Sequence, residues 1–287
     1  MPSRPVHDDP AAPDPWASMP LIGVDFTSRP ERRKPVMLAQ GECSNAVVVL
    51  RALQRFDTLG GLAEWLRAQP RWVGGFDLPF GLPRELVLAW SWPVDWAPCI
   101  DRFVSLDRAE LRARFAAFCA SRPAGAKFAH RACDRPAGSS PSMKWVNPPV
   151  AWMLHAGVPL LRWACAHFPA HEAEQQGAPR VALEAYPGLL AREVIGRRSY
   201  KSDDAARQTA DRQLARRDIV EALEAGRTRL DLRLRTSDEL RAALVNEARG
   251  DALDAALCLM QAAWATTQPR WGLPEAVDHL EGWITSA

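Results

Sequence analysis

The sequence predicts a mixed α/β fold: a five-stranded sheet flanked by helices, interrupted by a large, mostly helical insertion. Three observations carry this expectation. Short apolar runs follow one another between residues 21 and 53, the pattern of consecutive strands. A helical pattern and a fourth apolar run come next, and a fifth run appears only at residue 180. The chain then closes with helical segments, the last of which, Asp251 to Thr266, is apolar on most sides and must be buried.

Each element has its own signal. Leu21 to Asp25 (LIGVD) is an apolar run ending in an acid, read as a buried strand. The polar, basic stretch Thr27 to Lys34 is a turn, and Pro35 to Glu42 and Ala46 to Leu53 read as two further strands of an antiparallel meander. Leu59 to Ala68 has helical spacing and stops before Pro70. Trp72 to Leu78 (WVGGFDL) is the fourth strand, again reaching an acid. Residues 79–179 mix short helical stretches with Pro and Gly and form the insertion. Within it, Ser121 to Lys144 is basic and loop-like, with Asp134 its only acid; it reads as an exposed loop and a candidate substrate cover. Arg180 to Tyr186 (RVALEAY) is the fifth strand, followed by helices from about Pro187, over Asp203 to Ala225, and from Ser237. A short strand is expected at Gly282 to Ile284. This order of strands and helices is the ribonuclease H-like plan, in which active groups gather at the carboxyl ends of parallel strands.

Composition sets bounds. A chain of 287 residues can bury a full α/β core. Residues 1–20 hold six prolines and no apolar core of a signal peptide, so they read as a disordered leader before a single domain at 21–287. No apolar run is long enough to span a bilayer, and the chain is expected to be cytoplasmic with its six cysteines as reduced thiols. A zinc site from His130, Cys133, Cys165, His167 and His171 is disfavoured, because Pro169 keeps His167 and His171 off one helix face. The net charge of +2 gives no overall attraction to nucleic acid, so any basic surface must be local. The twelve tryptophans are expected mainly in the core.

Five acids carry the chemistry. Asp25 and Asp77 end apolar strands, where an unpaired carboxylate is costly and needs a partner or a metal. Asp251 and Asp254 are three apart on one helix and share a face. Glu184 lies in the fifth strand. Structural alternatives stay open for each: Asp251 as a helix cap, Asp25 and Asp77 as turn-forming groups, Glu184 as the partner of an arginine of the helix that follows it. If they converge, Asp25, Asp77, Glu184, Asp251 and Asp254 could hold Mg²⁺ or Mn²⁺, the hard cations that prefer carboxylate oxygens, with Asp25, Asp77 and Asp254 as catalytic ligands. Arg29 and Arg33 follow the first acid and could hold phosphate.

The segments GVDFTSRPERRKP, WVGGFDLPFGLPR, LEAYPGLL with the later SYK, and GDALDAALCLMQAAW resemble the family called domain of unknown function 429, described as predicted nucleases with a ribonuclease H fold. The last segment is also similar to the C-terminal helix of RuvC-type Holliday junction resolvases. The resemblance implies Asp25, Asp77, Asp251 and Asp254 as metal ligands and Lys201 as a phosphate contact, with nucleic acid as partner and a homodimer as the expected assembly. It departs at Asp77, where the resolvases commonly carry Glu, and at Glu184, which has no counterpart there. The expected function is therefore a metal-dependent nuclease. The competing classes are a non-catalytic binding protein on the same fold and a small-molecule phosphotransferase; a single copy of the fold without a Gly-rich phosphate loop argues against the latter.

Overall fold

The fold was analysed in a computed structural model, which describes residues 19–287. Most of the expected leader, residues 1–18, lies outside the described residues. Its last two do not behave as a leader: Met19 is buried in the core, and the Pro20 carbonyl accepts a hydrogen bond of 3.0 Å from Val73 N–H.

One mixed sheet has six strands rather than five: β1 (Leu21–Asp25), β2 (Val36–Ser44), β3 (Val47–Phe56), β4 (Trp72–Phe76), β5 (Arg180–Glu184) and β6 (Arg233–Arg235). Their spatial order is β5-β4-β1-β2-β3-β6. β2 runs antiparallel to β1 and β3, whereas β1–β4, β4–β5 and β3–β6 are parallel. The carboxyl ends of β1, β4 and β5 therefore share one edge of the sheet. The sixth strand comes from LDLRLR, whose alternation buries Leu232 and Leu234 beside exposed arginines. The strand expected at Gly282 to Ile284 does not form. Gly282 has φ +74°, and the tail is tied to the sheet by Thr285 N–H donating to Glu184 C=O at 2.8 Å.

The helices are α1 (Leu59–Ala68), α2 (Arg84–Ala89), α3 (Trp96–Val104), α4 (Arg108–Ala120), α5 (Asp134–Ala137), α6 (Val150–Trp163), α7 (Pro187–Ile195), α8 (Ala210–Glu224), α9 (Asp238–Asn246) and α10 (Asp251–Thr266). Their starts follow the capping rules: Thr58, Asp107, Thr209 and Ser237 each accept a backbone N–H of the first turn. The helix expected from Asp203 begins only at Ala210. Ser202 and Asp204 side chains accept the N–H groups two residues on, which stabilises turns in competition with a helix.

Strand parity sorts the core into two layers. Ile22, Val24, Phe76 and Ala182 face the insertion helices α2 to α4 and α6. Leu21, Val73, Val181 and Leu183 face α7 to α10. α10 lies against β1 and β4 with no room for side chains between them. A Cβ on Gly23 would stand 2.1 Å from Ala255 C=O and from Leu259 N, and one on Gly75 would stand 2.4 Å from Cys258 C=O. Glycine at these two positions is thus what allows the helix backbone onto the sheet.

The insertion is mostly helical, as expected, but its basic stretch is not simply an exposed loop. Residues 121–127 are largely exposed, whereas Ala129, Arg131, Cys133, Asp134, Ser142 and Met143 are buried. Tryptophans pack mainly inside: Trp72, Trp92, Trp96 and Trp152 are buried, while Trp163 is 48 % exposed beneath the Arg67 guanidinium. Among the described residues, no helix is long and apolar enough to cross a membrane.

Candidate functional site

Asp25 ends β1 and Asp77 follows β4. Gly23 pairs with Gly75 and Val24 with Phe76, and Asp77 N–H donates to Val24 C=O at 2.9 Å. In each strand the acid stands two residues beyond the glycine that receives α10. Because side chains alternate, both acids point to the α10 face. The first turn of α10 carries Asp251 and Asp254 to the same place, both buried. Four carboxylates from three separate elements thus meet at the carboxyl edge of the sheet.

Their electrostatics show the crowding. Burial pushes the Asp25 carboxyl well above the ordinary value, and the negative charges of Asp254, Asp251 and Asp77 push the same way. Asp77 is raised to about 7 by burial, with Lys201 opposing the rise and Asp254 and Glu184 adding to it. Asp251 is raised to about 6 by burial and by Glu247.

Arg249 stands 3.6 Å from Asp251, and the cation shared by the whole cluster is Lys201. Its ammonium pairs with Asp254 Oδ2, while Tyr200 Oη donates to Asp254 Oδ1 at 2.6 Å. Burial works against the charge on Lys201, but Asp254, Asp25 and Asp77 hold its pKa well above the usual lysine value. Gly250, at φ +78°, starts α10 in the left-handed region; a Cβ there would stand 2.8 Å from Lys201 Cβ. Glycine therefore lets the Tyr200–Lys201 segment lie against the helix start. The Lys201 side chain is 42 % exposed, whereas Asp254 is fully buried.

Glu184 is placed differently. It pairs in register with Phe76, not with Gly75 or Asp77, so its side chain points to the insertion face. There both of its oxygens accept from the Arg131 guanidinium, at 2.6 and 2.7 Å, and Oε2 also accepts from Phe80 N–H at 3.0 Å. Arg131 donates further to Asp134 Oδ1, from Nη2 at 2.9 Å and from Nε at 3.1 Å. The expected metal-ligand set is corrected accordingly: the α10-face cluster is Asp25, Asp77, Asp251 and Asp254, and Glu184 is half of a buried ion pair.

Between the two groups lies a pocket of about 210 Å³. Asp77 and Lys201 line one side, Arg131 and Glu184 another, and Ser139, Ser140 and the start of α6 come from the insertion. A larger pocket of about 750 Å³ sits at the far end of α10, by Thr266 and Trp271. None of the clustered acids lines it, so it does not belong to this site.

The expected phosphate contacts are partly assembled. Lys201 is in the cluster. Arg29 and Arg33 are exposed on the turn after β1, and the neighbouring Lys34 ties that turn to Asp203 by a 2.6 Å ion pair. The expectation missed Arg131, Asp134 and the Tyr200 hydroxyl. Tyr200 had a signal, its place next to Lys201 in SYK.

A model of the family described as Protein of unknown function (DUF429) matches residues 23–275. The chain belongs to that family. Comparison with curated proteins and with solved structures finds no match. In this DUF429 chain the family match spans all four clustered acids, Lys201 and the whole insertion.

Every acidic side chain of the cluster is a carboxylate, the donor type that hard divalent cations prefer. Among the described residues, no three His, Cys, Asp or Glu side chains are arranged at metal-ligand spacing. Lys201 instead supplies the positive charge.

Proposed function

We propose that this DUF429 chain is a divalent-metal-dependent nuclease built on the ribonuclease H-like plan. The observation that carries the proposal is the meeting of Asp25, Asp77, Asp251 and Asp254 at the carboxyl ends of parallel strands, with the proton affinities of Asp25, Asp77 and Asp251 raised and Lys201 and Arg249 as the cations beside them. Carboxylates crowded in this way are a cost to folding, and Asp77 and Lys201 bring the cluster to the wall of a pocket, the setting in which perturbed groups point to a functional site. The element order, a three-stranded antiparallel meander followed by parallel strands and a C-terminal helix across them, supports the fold assignment.

In this proposal the four aspartates would hold Mg²⁺ or Mn²⁺. The bound cation would lower the pKa of a water and screen the phosphodiester. The protein's own groups have distinct tasks. Asp254 is oriented by the Tyr200 hydroxyl. Lys201 is exposed enough to leave Asp254 and turn to a substrate phosphate. Arg131 holds Glu184 and the pocket wall in place.

One observation favours a second reading, a nucleic-acid-binding protein without catalysis: Lys201 already neutralises Asp254, and the acids do not stand at ligating distances. Cleavage of labelled DNA and RNA with Mn²⁺ separates the two. The nuclease reading expects cleavage by the wild type and its loss, by at least a hundredfold, in Asp25→Asn with Asp254→Asn. Cleavage that survives this double change would overturn it, and binding without cleavage would favour the second reading.

A further inference from the structure

The turn after β1 and helix α4 of the insertion form a basic surface to which neither the family match nor the acid cluster gives a role. Arg108 and Arg112 are four residues apart on α4 and so share a face, an arrangement of like charges that weakens a helix unless something else favours it. Both guanidinium groups lie over the same ring, with their carbons 5.2 and 5.8 Å from the Trp152 centroid. The ring positions them through cation–π attraction while leaving their hydrogen-bond donors open. Arg29 comes close enough from the β1 turn to make Arg108 easier to deprotonate, an effect added to that of burial and shared with Arg112.

The nearby acids are engaged elsewhere. Asp107 accepts the N–H groups of Ala109 and Glu110 at 2.8 Å as the α4 cap. Glu110 pairs with Arg114 at 2.9 Å. No acid is paired with Arg29, Arg108 or Arg112 among the described residues, in a chain where 17 other basic–acidic contacts form. Arg108 and Arg112 are thus held together over one ring without an ion-pair partner among the described residues, with Arg29 near enough to act on Arg108.

The surface adjoins the acid pocket. Trp152, which carries the arginines, lies in the first turn of α6, and its neighbours Val150 and Met153 line that pocket with Asp77 and Lys201. Arg29 is four residues beyond Asp25.

We infer that Arg29, Arg108 and Arg112 form a phosphate-backbone-binding face by which the insertion holds a nucleic-acid strand whose reacting bond lies at the acid cluster. Arginine suits this task because its planar fork pairs two donors with phosphate oxygens. The face reads no base, so binding through it is sequence-independent and salt-dependent. The inference rests on the nuclease reading for the orientation of the strand, but not for binding itself.

The test is fluorescence anisotropy with a labelled single-stranded oligothymidine, using the full chain in EDTA over a series of salt concentrations. Arg108→Gln with Arg112→Gln is expected to weaken binding roughly 10–30-fold near 0.1 M salt and to lower the salt slope by about 1.4, two phosphate contacts' worth for a single strand. Arg108→Lys with Arg112→Lys keeps the charges and should stay within about threefold of wild type. If the Gln pair melts at a lower temperature than wild type, Arg29→Gln on the exposed turn replaces it, with about half the change in slope. No binding by wild type, or binding and slope unchanged in the Gln variants, overturns the inference. Equal, arginine-dependent binding to phosphatidylserine vesicles also overturns it, by making the face a lipid contact. Arginine-dependent binding without Mn²⁺-dependent cleavage leaves this face standing and sinks the nuclease reading alone.

Discussion

Two groups of buried and half-buried acids stand at neighbouring strand ends, one on each face of the sheet, and they are held in different ways. On the insertion face, Glu184 and Asp134 enclose Arg131, and each carboxylate is met by fixed N–H donors. Burial works against the Arg131 charge, but Glu184 and Asp134 hold its pKa well above the ordinary arginine value. On the α10 face, four carboxylates share Lys201, and Asp25, Asp77 and Asp251 all hold their protons more tightly than usual. The first arrangement is complete as a structural joint: it fastens β5 to the insertion and, through Glu281, to the C-terminal tail. In the second, Asp254 pairs with Lys201 and Asp251 with Arg249, while Asp25 and Asp77 have no ion-pair partner among the described residues. The difference is one of partners: the insertion-face carboxylates are each held by fixed donors, whereas Asp25 and Asp77 are not paired with any cation among the described residues.

This contrast can be broken or sharpened by substitution. The largest effect is expected for Arg131→Met, which leaves Glu184 and Asp134 buried without their partner. Unfolding free energy from urea titration should fall by about 3–5 kcal/mol. A fall under about 1 kcal/mol would mean the insertion-face cluster is not the joint described. Next comes Gly75→Ala, whose added methyl would meet the Cys258 carbonyl and lift α10 from β4. A loss of about 1–3 kcal/mol is expected by the same titration, together with weaker metal binding, since the acids of α10 move away from Asp77.

Asp77→Asn should act in the opposite direction, and only at the higher pH. In the fold Asp77 keeps its proton up to about pH 7, whereas an unfolded aspartate loses it near pH 4. The folded state therefore binds more protons between these values, and stability falls as pH rises from about 4 to about 7. Removing the charge should raise unfolding free energy at pH 8 by about 1–3 kcal/mol, discounting for neighbours that share the shift, and change nothing near pH 4. Equal effects at both pH values would show that the carboxyl is not raised. The smallest effect is expected for Lys201→Gln. Its lysine is 42 % exposed, so solvent screens the loss, and about 1 kcal/mol is expected. Thermal melts should show that Mn²⁺ recovers this loss more fully than it stabilises wild type.

Much of this site was legible before the structure. GVD and GGFD place a glycine two residues before each strand-end acid, and DALD places two acids on one helix face. These are local patterns, and local chemistry determines them. Glu184 was not legible, because its side of the sheet depends on the register of β5 against β4, which the strand's own residues do not specify. Arg131 was hidden for a similar reason. Its surroundings have loop composition, and besides the nearby Asp134 its partners lie 53 and 150 positions away. β6 was legible in the alternation of LDLRLR but is only three residues long. Arg108 and Arg112 were visible as a helical pair, but only the fold brings Arg29 to them.

The central claim is that the α10-face cluster is a cation site and the insertion-face cluster is not. Isothermal calorimetry with Mn²⁺ at pH 8 tests it most directly, on wild type and on Asp25→Asn with Asp254→Asn. The account predicts micromolar-to-millimolar binding by wild type that the double change abolishes. Absence of binding by wild type, or binding that the double change leaves intact, would contradict it.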